Sequence, residues 1–508
     1  MVPPSPQRSQ RSGRAVAPLH SGATGGRSRD ASTELRLDDL PPAAAALLRA
    51  VRAAVGPVPD LVLVGGAVRD ALLGRSEADL DLAVPRGALS LADRIARRLN
   101  AAAVVLDADR GAARVAAPGV QLDLNDFRAP TLAGDLAERD YTVNALAVPL
   151  EALLTGRAPI VDPSGGVADL HARRLRPPGP RVLADDPLRA LRAVRLEATR
   201  GLRLTPGAAR LVRAAAPGLA TVSAERVRDE LVGLLGLPAT GRALRRAEAL
   251  GLLAVILPEI GPMRGAAQPA PHRFNVLEHS FRAVEGADRV LARLEALTPF
   301  GEELAAHMAE RLGGGLDRAA VLKLAALLHD VAKPETRRLV AGRVRFFEHD
   351  LIGGARAHRI GERWRLPERA TVLLERLVRH HLRLMHLAQA GEVTRRARYR
   401  FYRDLGPDTR DLLLLSLVDA AAVTGASPLG VWRRAGLVRD LLGGWREAES
   451  VAAAPPLLRG QDVMARFDLA PGPAVGHLLA RAREAQDLGL VRTREEALAY
   501  LDSSERAP

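Results

Sequence analysis

The chain has no cysteine, so disulfides and cysteine-ligated zinc sites are excluded. Lysine is almost missing, with only Lys323 and Lys333, so nearly all of the positive charge is arginine. Asparagine occurs four times. No run of eighteen apolar residues exists, and the longest candidates, within 412–423 and 324–328, are short and end in charges. No membrane span is expected. The first twenty residues lack the apolar centre of a secretory signal, and the cytoplasm is the expected compartment. The net charge of +14 suits a nucleic-acid partner. The preference for arginine and alanine, however, has the look of a coding bias that raises the computed pI of 11.1 whatever the function. Against that bias, residue types the chain avoids stand out. Asn144, Asn275 and Lys333 all fall inside the segments discussed below.

Residues 61–84 read LVLVGGAVRDALLGRSEADLDLAV. An apolar run stops at Gly65 and Gly66, a helix-compatible stretch carries Arg69 and Asp70, and a second apolar run carries Asp79 and Asp81. In a strand, alternate side chains share a face, so the two aspartates point together, away from Leu80 and Leu82. Paired carboxylates repel unless a cation lies between them, and Mg²⁺ prefers a few carboxylates plus substrate phosphates. Glycines allow close backbone approach to a phosphate, a helix start offers free N–H groups, and an arginine adds a charged fork. These parts describe metal-assisted phosphoryl or nucleotidyl transfer.

At 508 residues the chain exceeds one core. The fold class expected is multidomain, α/β followed by all-α. Residues 1–33, rich in Pro, Ser, Gly and Arg, read as a disordered basic tail. Residues 34–57 read as one amphipathic helix opening an α/β head over 34–176. Within it, strands are expected at 61–64, 79–84, 103–106, 113–117, 120–124 and 143–148, with a helix near 89–100. From 177 the strand signals fade. A helical neck over 177–262, a helical domain over 263–425 and a helical tail over 426–508 are divided at Pro-containing breaks.

The GGAVRD segment followed by D-x-D resembles the head of the bacterial-type tRNA nucleotidyltransferase and poly(A) polymerase family. Arg139–Ala147, RDYTVNALA, resembles that family's RRDFTINA motif, with Glu138 in place of the first arginine. The resemblance assigns Arg139 to nucleotide phosphate. DPSGGVADL (162–170) resembles the family's DPxGGxxDL stretch. Asp123 is a candidate third carboxylate or a strand-end charge. DDPLRALRAVRLEATRG (185–201) places Asp186, Arg189, Arg192 and Arg195 at three-residue steps, able to line one side of a helix.

In the family this segment selects the base. A carboxylate accepts from the amino group of cytosine or adenine while a guanidinium donates to the ring nitrogen; uracil and guanine would leave both unpaired. The resemblance therefore implies Asp186 with Arg189 as the template and Arg192 with Arg195 on the triphosphate. It further implies Asp79 and Asp81 as catalytic Mg²⁺ ligands, with Gly65, Gly66 and Arg69 at the nucleotide, CTP and ATP as donors, and the tRNA 3′ end as acceptor.

HRFNVLEHS, LLHDVAKPET, FFEHD, VRHHL and SLVDAAA follow in order between residues 272 and 422. They resemble an HD-type phosphohydrolase domain. The resemblance implies His279, His329, Asp330 and Asp419 as metal ligands, with His349 and His380 as candidates for a second divalent transition metal. Residues 457–498 resemble the tail of HD-containing tRNA nucleotidyltransferases. Only Ala129–Gly134 separates Arg128 from Asp135, where full CCA-adding relatives carry a longer loop; this resembles the CC-adding subtype, which works beside a separate A-adding enzyme. The alternatives are a poly(A) polymerase on the same scaffold and an HD phosphohydrolase acting on RNA or nucleotide ends.

Overall fold

Pro41 and Pro42 decide where the first helix begins. In a computed structural model, which describes residues 33–505 apart from 76–78 and 118–119, α1 spans Pro42–Val55. The helix expected from residue 34 does not form over its first part. Glu34–Arg36 is instead a strand paired with Arg157–Pro159, followed by a 3-10 turn. Proline fits the first helical turn but disfavours helix in the residue before it, so α1 cannot extend backwards. The basic tail expected over 1–33 lies outside the described residues except for Thr33.

Six strands form the main sheet: β1 (Val62–Val64), β2 (Leu80–Val84), β3 (Ala102–Asp107), β4 (Ala112–Ala117), β5 (Val120–Asp126) and β6 (Ala147–Pro149). Helix α2 (Gly66–Leu72) follows β1, and α3 (Ala88–Leu99) follows β2. The order is β3-β4-β5-β2-β1-β6, with β2 and β5 parallel and every other neighbour antiparallel. Alternation gives the sheet its two faces. Leu80, Leu82, Leu122 and Leu124 are buried in one core with Leu48 and Val51 of α1 and Ile95 of α3. Asp81 and Asp123 alternate with those leucines and occupy the opposite face. The strand expected at 143–148 begins later, because Thr142–Asn144 is a 3-10 turn.

Beyond residue 172 the chain is mainly helical, as the sequence pattern requires. The helices used below are α4 (Leu132–Ala137), α5 (Leu188–Arg200), α6 (Ala224–Leu235), α7 (Val276–Leu291), α8 (Arg318–Leu328), α9 (His349–Arg363), α10 (Glu368–His380), α11 (Arg395–Leu405) and α12 (Thr409–Thr424). A hairpin the sequence pattern did not predict, β7 (Arg337–Val340) with β8 (Arg343–Phe346), interrupts them. The apolar run at 412–423 belongs to α12, whose leucines 412–415 are fully buried. No single helix among the described residues is long and apolar enough to cross a membrane. Lys323 of α8 is structural: its ammonium reaches the carbonyls of Leu235 (3.1 Å) and Leu237 (2.7 Å) and lies 3.2 Å from Asp288.

Two compact units result. One comprises the chain up to Phe127 together with Leu146–His171; the other comprises Arg128–Ala145 and everything from Ala172. The last three helices build a small core of their own around Val463, Leu478 and Leu501.

Candidate active site and metal centre

In the sheet unit the Gly-Gly turn is enforced by the backbone. Gly65 sits at φ +74, a region side chains disfavour, and its N–H donates to Leu146 O at 3.0 Å. This turn aims α2. Arg69 on α2 is buried and donates to the Asp70 carboxylate at 2.9 and 2.6 Å. Asp79 is exposed and lies one residue ahead of β2, whereas Asp81 is half-buried within it. Asp81 stands in register with Asp123 on the parallel neighbour β5. A third carboxylate therefore does sit beside Asp81, and it is engaged: Arg114 of β4 donates to Asp123 at 2.7 and 2.8 Å. That hydrogen bond, and the charges of Asp123, Asp79 and Asp81, hold the Arg114 guanidinium above its ordinary pKa. Sequence pattern did not single out Arg114.

In the helical unit the short segment after Arg128 is clamped. Asp135 on α4 is fully buried and accepts from the Arg128 backbone (3.1 Å), the Arg128 guanidinium (2.9 Å) and Arg139 (2.9 Å). A buried charge left without its partner costs about 3–5 kcal/mol, so these groups hold one another in place. Asn144, one of the rare asparagines, donates to Asp140 at 3.0 Å. Burial pushes Asp140 upward, yet Arg192, Asn144 and the Tyr141 amide outweigh it and hold the carboxyl below its ordinary value.

The four residues read from 185–201 do not all share a helix. Asp186 is extended (φ −141) and precedes α5, because Pro187 disfavours helix at the residue before it. Arg189 lies 3.6 Å from Asp186, and Asp186 also accepts from Arg226 of α6 at 2.9 and 3.1 Å. Arg192 and Arg195 both donate to Glu230, at 3.1 and 2.8 Å, and Arg192 also reaches Asp140 at 3.2 Å. Burial lowers the Arg192 pKa, but Asp140 and Glu230 overcompensate and raise it. Arg226 and Glu230 lie a helix away in sequence and carry no local signal.

Five helices bring the histidines together. His279 is on α7, His329 and Asp330 follow the end of α8, His349 begins α9, and Asp419 is on α12. The sixth member is His381, immediately after α10. His380 is not in the cluster: it is half-buried, and burial together with Arg383, Arg376 and Arg379 lowers its pKa. The adjacent histidines differ by one step around the helix, and only His381 falls on the buried side. His279 Nε2 lies 3.1 Å from His329 Nε2 and 3.0 Å from Asp419. Asp330 lies 3.3 Å from His329, 3.5 Å from His349 and 3.6 Å from His381.

Behind the ring, His329, His349 and His381 each point Nδ1 at a main-chain carbonyl, at 3.0, 2.9 and 2.7 Å. Protonation there leaves each Nε2 lone pair facing inward. Burial acts against an ionised Asp330, but His329 and Lys333 (2.7 Å away) hold it well below the carboxylate range.

Residues 61–176 match the Poly A polymerase head domain, 201–263 the probable RNA- and SrmB-binding site of polymerase A, and 301–423 the HD domain. An A-adding tRNA nucleotidyltransferase of Deinococcus radiodurans is 38% identical, over 87% of this chain and 95% of that one. A CC-adding tRNA nucleotidyltransferase of Thermus thermophilus is 35% identical, over 87% and 93%. The chain belongs to the tRNA nucleotidyltransferase family.

The fold agrees. The apo form of a CCA-adding enzyme superposes with a TM-score of 0.62 at 20% identity, over 94% of this nucleotidyltransferase and 99% of that chain. The Thermotoga maritima enzyme complexed with tRNA superposes at 0.57. Both the head and the HD family are metal-dependent, and among the described residues two groups could hold an ion: His279 with His329 and Asp330, and Asp330 with His349 and His381. The donors fit that use. Asp330 Oδ1 and the Nε2 atoms of His349 and His381 are buried without a hydrogen-bond partner, while Asp330 Oδ2 has the Lys333 ammonium 2.7 Å away; ligation would satisfy the unpaired atoms.

Proposed function

We propose that the chain transfers CMP from CTP, and AMP from ATP where its template allows, to the 3′-hydroxyl of tRNA, building or repairing the CCA end. The observation that carries this reading is a carboxylate face at the start of β2, paired with the strand that the Gly-Gly turn ends, in a chain whose relatives add C or A to tRNA. Asp79 and Asp81 would hold Mg²⁺; Asp123 is neutralised by Arg114 and serves the sheet instead. When bound, the metal supplies acidity to the attacking hydroxyl and neutralises charge on the departing pyrophosphate. Gly65 and Gly66 let the backbone approach the nucleotide, and Arg69 is held in place by Asp70. Arg139 is fixed by Asp135 as a phosphate contact. Arg192 and Arg195 reach a triphosphate by exchanging Glu230 for phosphate, one anion for another.

Asp186 accepts from the amino group of C or A while Arg189 donates to the ring nitrogen. Asp186→Ala is expected to raise UMP incorporation relative to CMP by about 10-fold or more, since removing the acceptor removes the penalty on uracil's carbonyl. Competition assays with CTP and UTP check this; unchanged selectivity would remove the template role.

The clamped segment between Arg128 and Asp135 supports a product ending in two cytidines, with a separate A-adding enzyme completing the tRNA in the cytoplasm. The Deinococcus relative favours a second reading, addition of the terminal A alone. Sequencing 3′ ends made on tRNA lacking CCA, and on tRNA already ending in CC, decides between them. The expected result is two cytidines on the first and nothing on the second, even with ATP in excess. A single A on the second substrate alone would install the A-adding reading. A complete CCA end would overturn both subtypes, and no incorporation would overturn the transfer itself. At the histidine cluster we propose a divalent transition metal and a phosphohydrolase activity, carried by the inward Nε2 atoms around Asp330.

A further inference from the structure

Many of the chain's arginines are matched by acids. On α11, Arg396 and Arg400 pair with Glu484, Arg398 with Asp440 and Arg403 with Asp404. The β7–β8 hairpin gathers four arginines that are not so matched. Arg337, Arg338, Arg343 and Arg345 are all exposed, and among the described residues none of the four forms an ion pair. Arg338 donates only to main-chain carbonyls, of Glu335 and Arg337. The nearby Glu335 is taken by Arg356.

Register sharpens the point. Arg338 stands directly opposite Arg345, and Val340 opposite Arg343. Opposed residues share a face, so Arg338, Arg343 and Arg345 project together. Like charges directly opposite, with Cβ atoms about 5 Å apart, are destabilising unless an anion lies between them. Residues two apart on a strand are separated by about 7 Å, close to the spacing of successive phosphates on an extended nucleic-acid strand. The second face carries Arg337, Leu339, Val344 and Phe346. Its base abuts the histidine cluster: the Phe346 ring lies 6.3 Å from the His349 ring and 5.5 Å from the Lys333 ammonium. Phe347, 56% exposed, follows at the same end and offers a stacking surface.

We propose that the hairpin is an RNA-binding element whose arginine face takes successive backbone phosphates of a strand running toward the histidine cluster. This rests on the reading that the chain acts on RNA. A membrane surface is the poorer fit: Leu339, Val344 and Phe346 share the second face, but Val344 and Phe346 are only half-exposed and Phe346 is turned to His349 and Lys333, leaving Leu339 as the strongly exposed apolar side chain of that face.

The test uses the full chain and its R338E/R345E variant, with a short fluorescent single-stranded RNA, a tRNA transcript lacking CCA, and phosphatidylserine-containing vesicles as probes. Single-stranded RNA affinity should fall at least about 10-fold, and the slope of log affinity against log salt should fall by roughly 1.5, since each phosphate contact contributes about 0.7. R338K/R345K should keep most of both. CMP incorporation at saturating tRNA and the unfolding temperature should not move. Incorporation by the parent reports on the transfer reading separately, so the two ideas fail separately. Unchanged RNA affinity and salt slope in R338E/R345E would overturn the proposal. So would vesicle binding that the variant loses while its RNA affinity stays.

Discussion

Asp81→Ala should abolish CMP incorporation, by on the order of 1,000-fold or more, while unfolding temperature and tRNA affinity stay close to those of the parent. The separation follows from where the side chain lies. Leu80 and Leu82, its neighbours on β2, are buried among the helices and carry the sheet's packing. Asp81 is on the other face, in register with a second carboxylate, Asp123. When Asp81 is removed, Asp123 keeps its own partner, Arg114, so the packing of the sheet and that ion pair both survive. What is lost is a hard oxygen ligand. Single-turnover incorporation in Mg²⁺, with a thermal melt on the same sample, reads both halves. Near-parental incorporation would remove the catalytic assignment, and a collapsed melt would reassign Asp81 to the fold.

Asp330→Asn should lower affinity for a divalent transition metal by about 100-fold or more, with CMP addition unaffected. Asp330 is the one residue shared by both potential metal groups, so its loss disables each of them. Asparagine keeps the volume but withdraws the charge that His329, His349, His381 and Lys333 surround. Metal content by mass spectrometry and metal-dependent stabilisation in a thermal melt are the readouts. The neighbouring histidines provide the internal control: His381→Ala should lose metal and His380→Ala should keep it. The reverse order would contradict the geometry, and equal metal content in all three variants would show that the cluster is an internal hydrogen-bonding network alone.

Much of this was legible because chemistry-bearing residues clustered locally. The Gly-Gly turn, the D-x-D pair and the His-Asp dipeptide are each complete within two or three residues, and their strands and helices formed close to the expected positions. What could not be read depended on partners distant in sequence. Glu230 and Arg226, which engage Arg192, Arg195 and Asp186, come from the next long helix. Arg114 finds Asp123 across a strand pair. The choice of His381 over His380 turned on which side of α10 is buried, and adjacent histidines look alike in a string. The β7–β8 hairpin escaped notice because its arginines mask the alternation that signals a strand. Asp186 was misplaced onto a helix although Pro187 already forbade it.

The chain leaves the sheet unit after Phe127, contributes Arg128–Ala145 to the helical unit, and returns to supply β6. Within that excursion the buried Tyr141 hydroxyl donates to the carbonyl of Arg189, more than forty residues further on. A head fragment ending near residue 176 would therefore carry a segment whose packing partners have been cut away. Chimeras that exchange heads between relatives of different product length would inherit the same mismatch. The natural exchange unit is two pieces, with 128–145 travelling alongside the helices it packs against, and a graft that respects this seam should fold where a single cut near residue 176 yields aggregate.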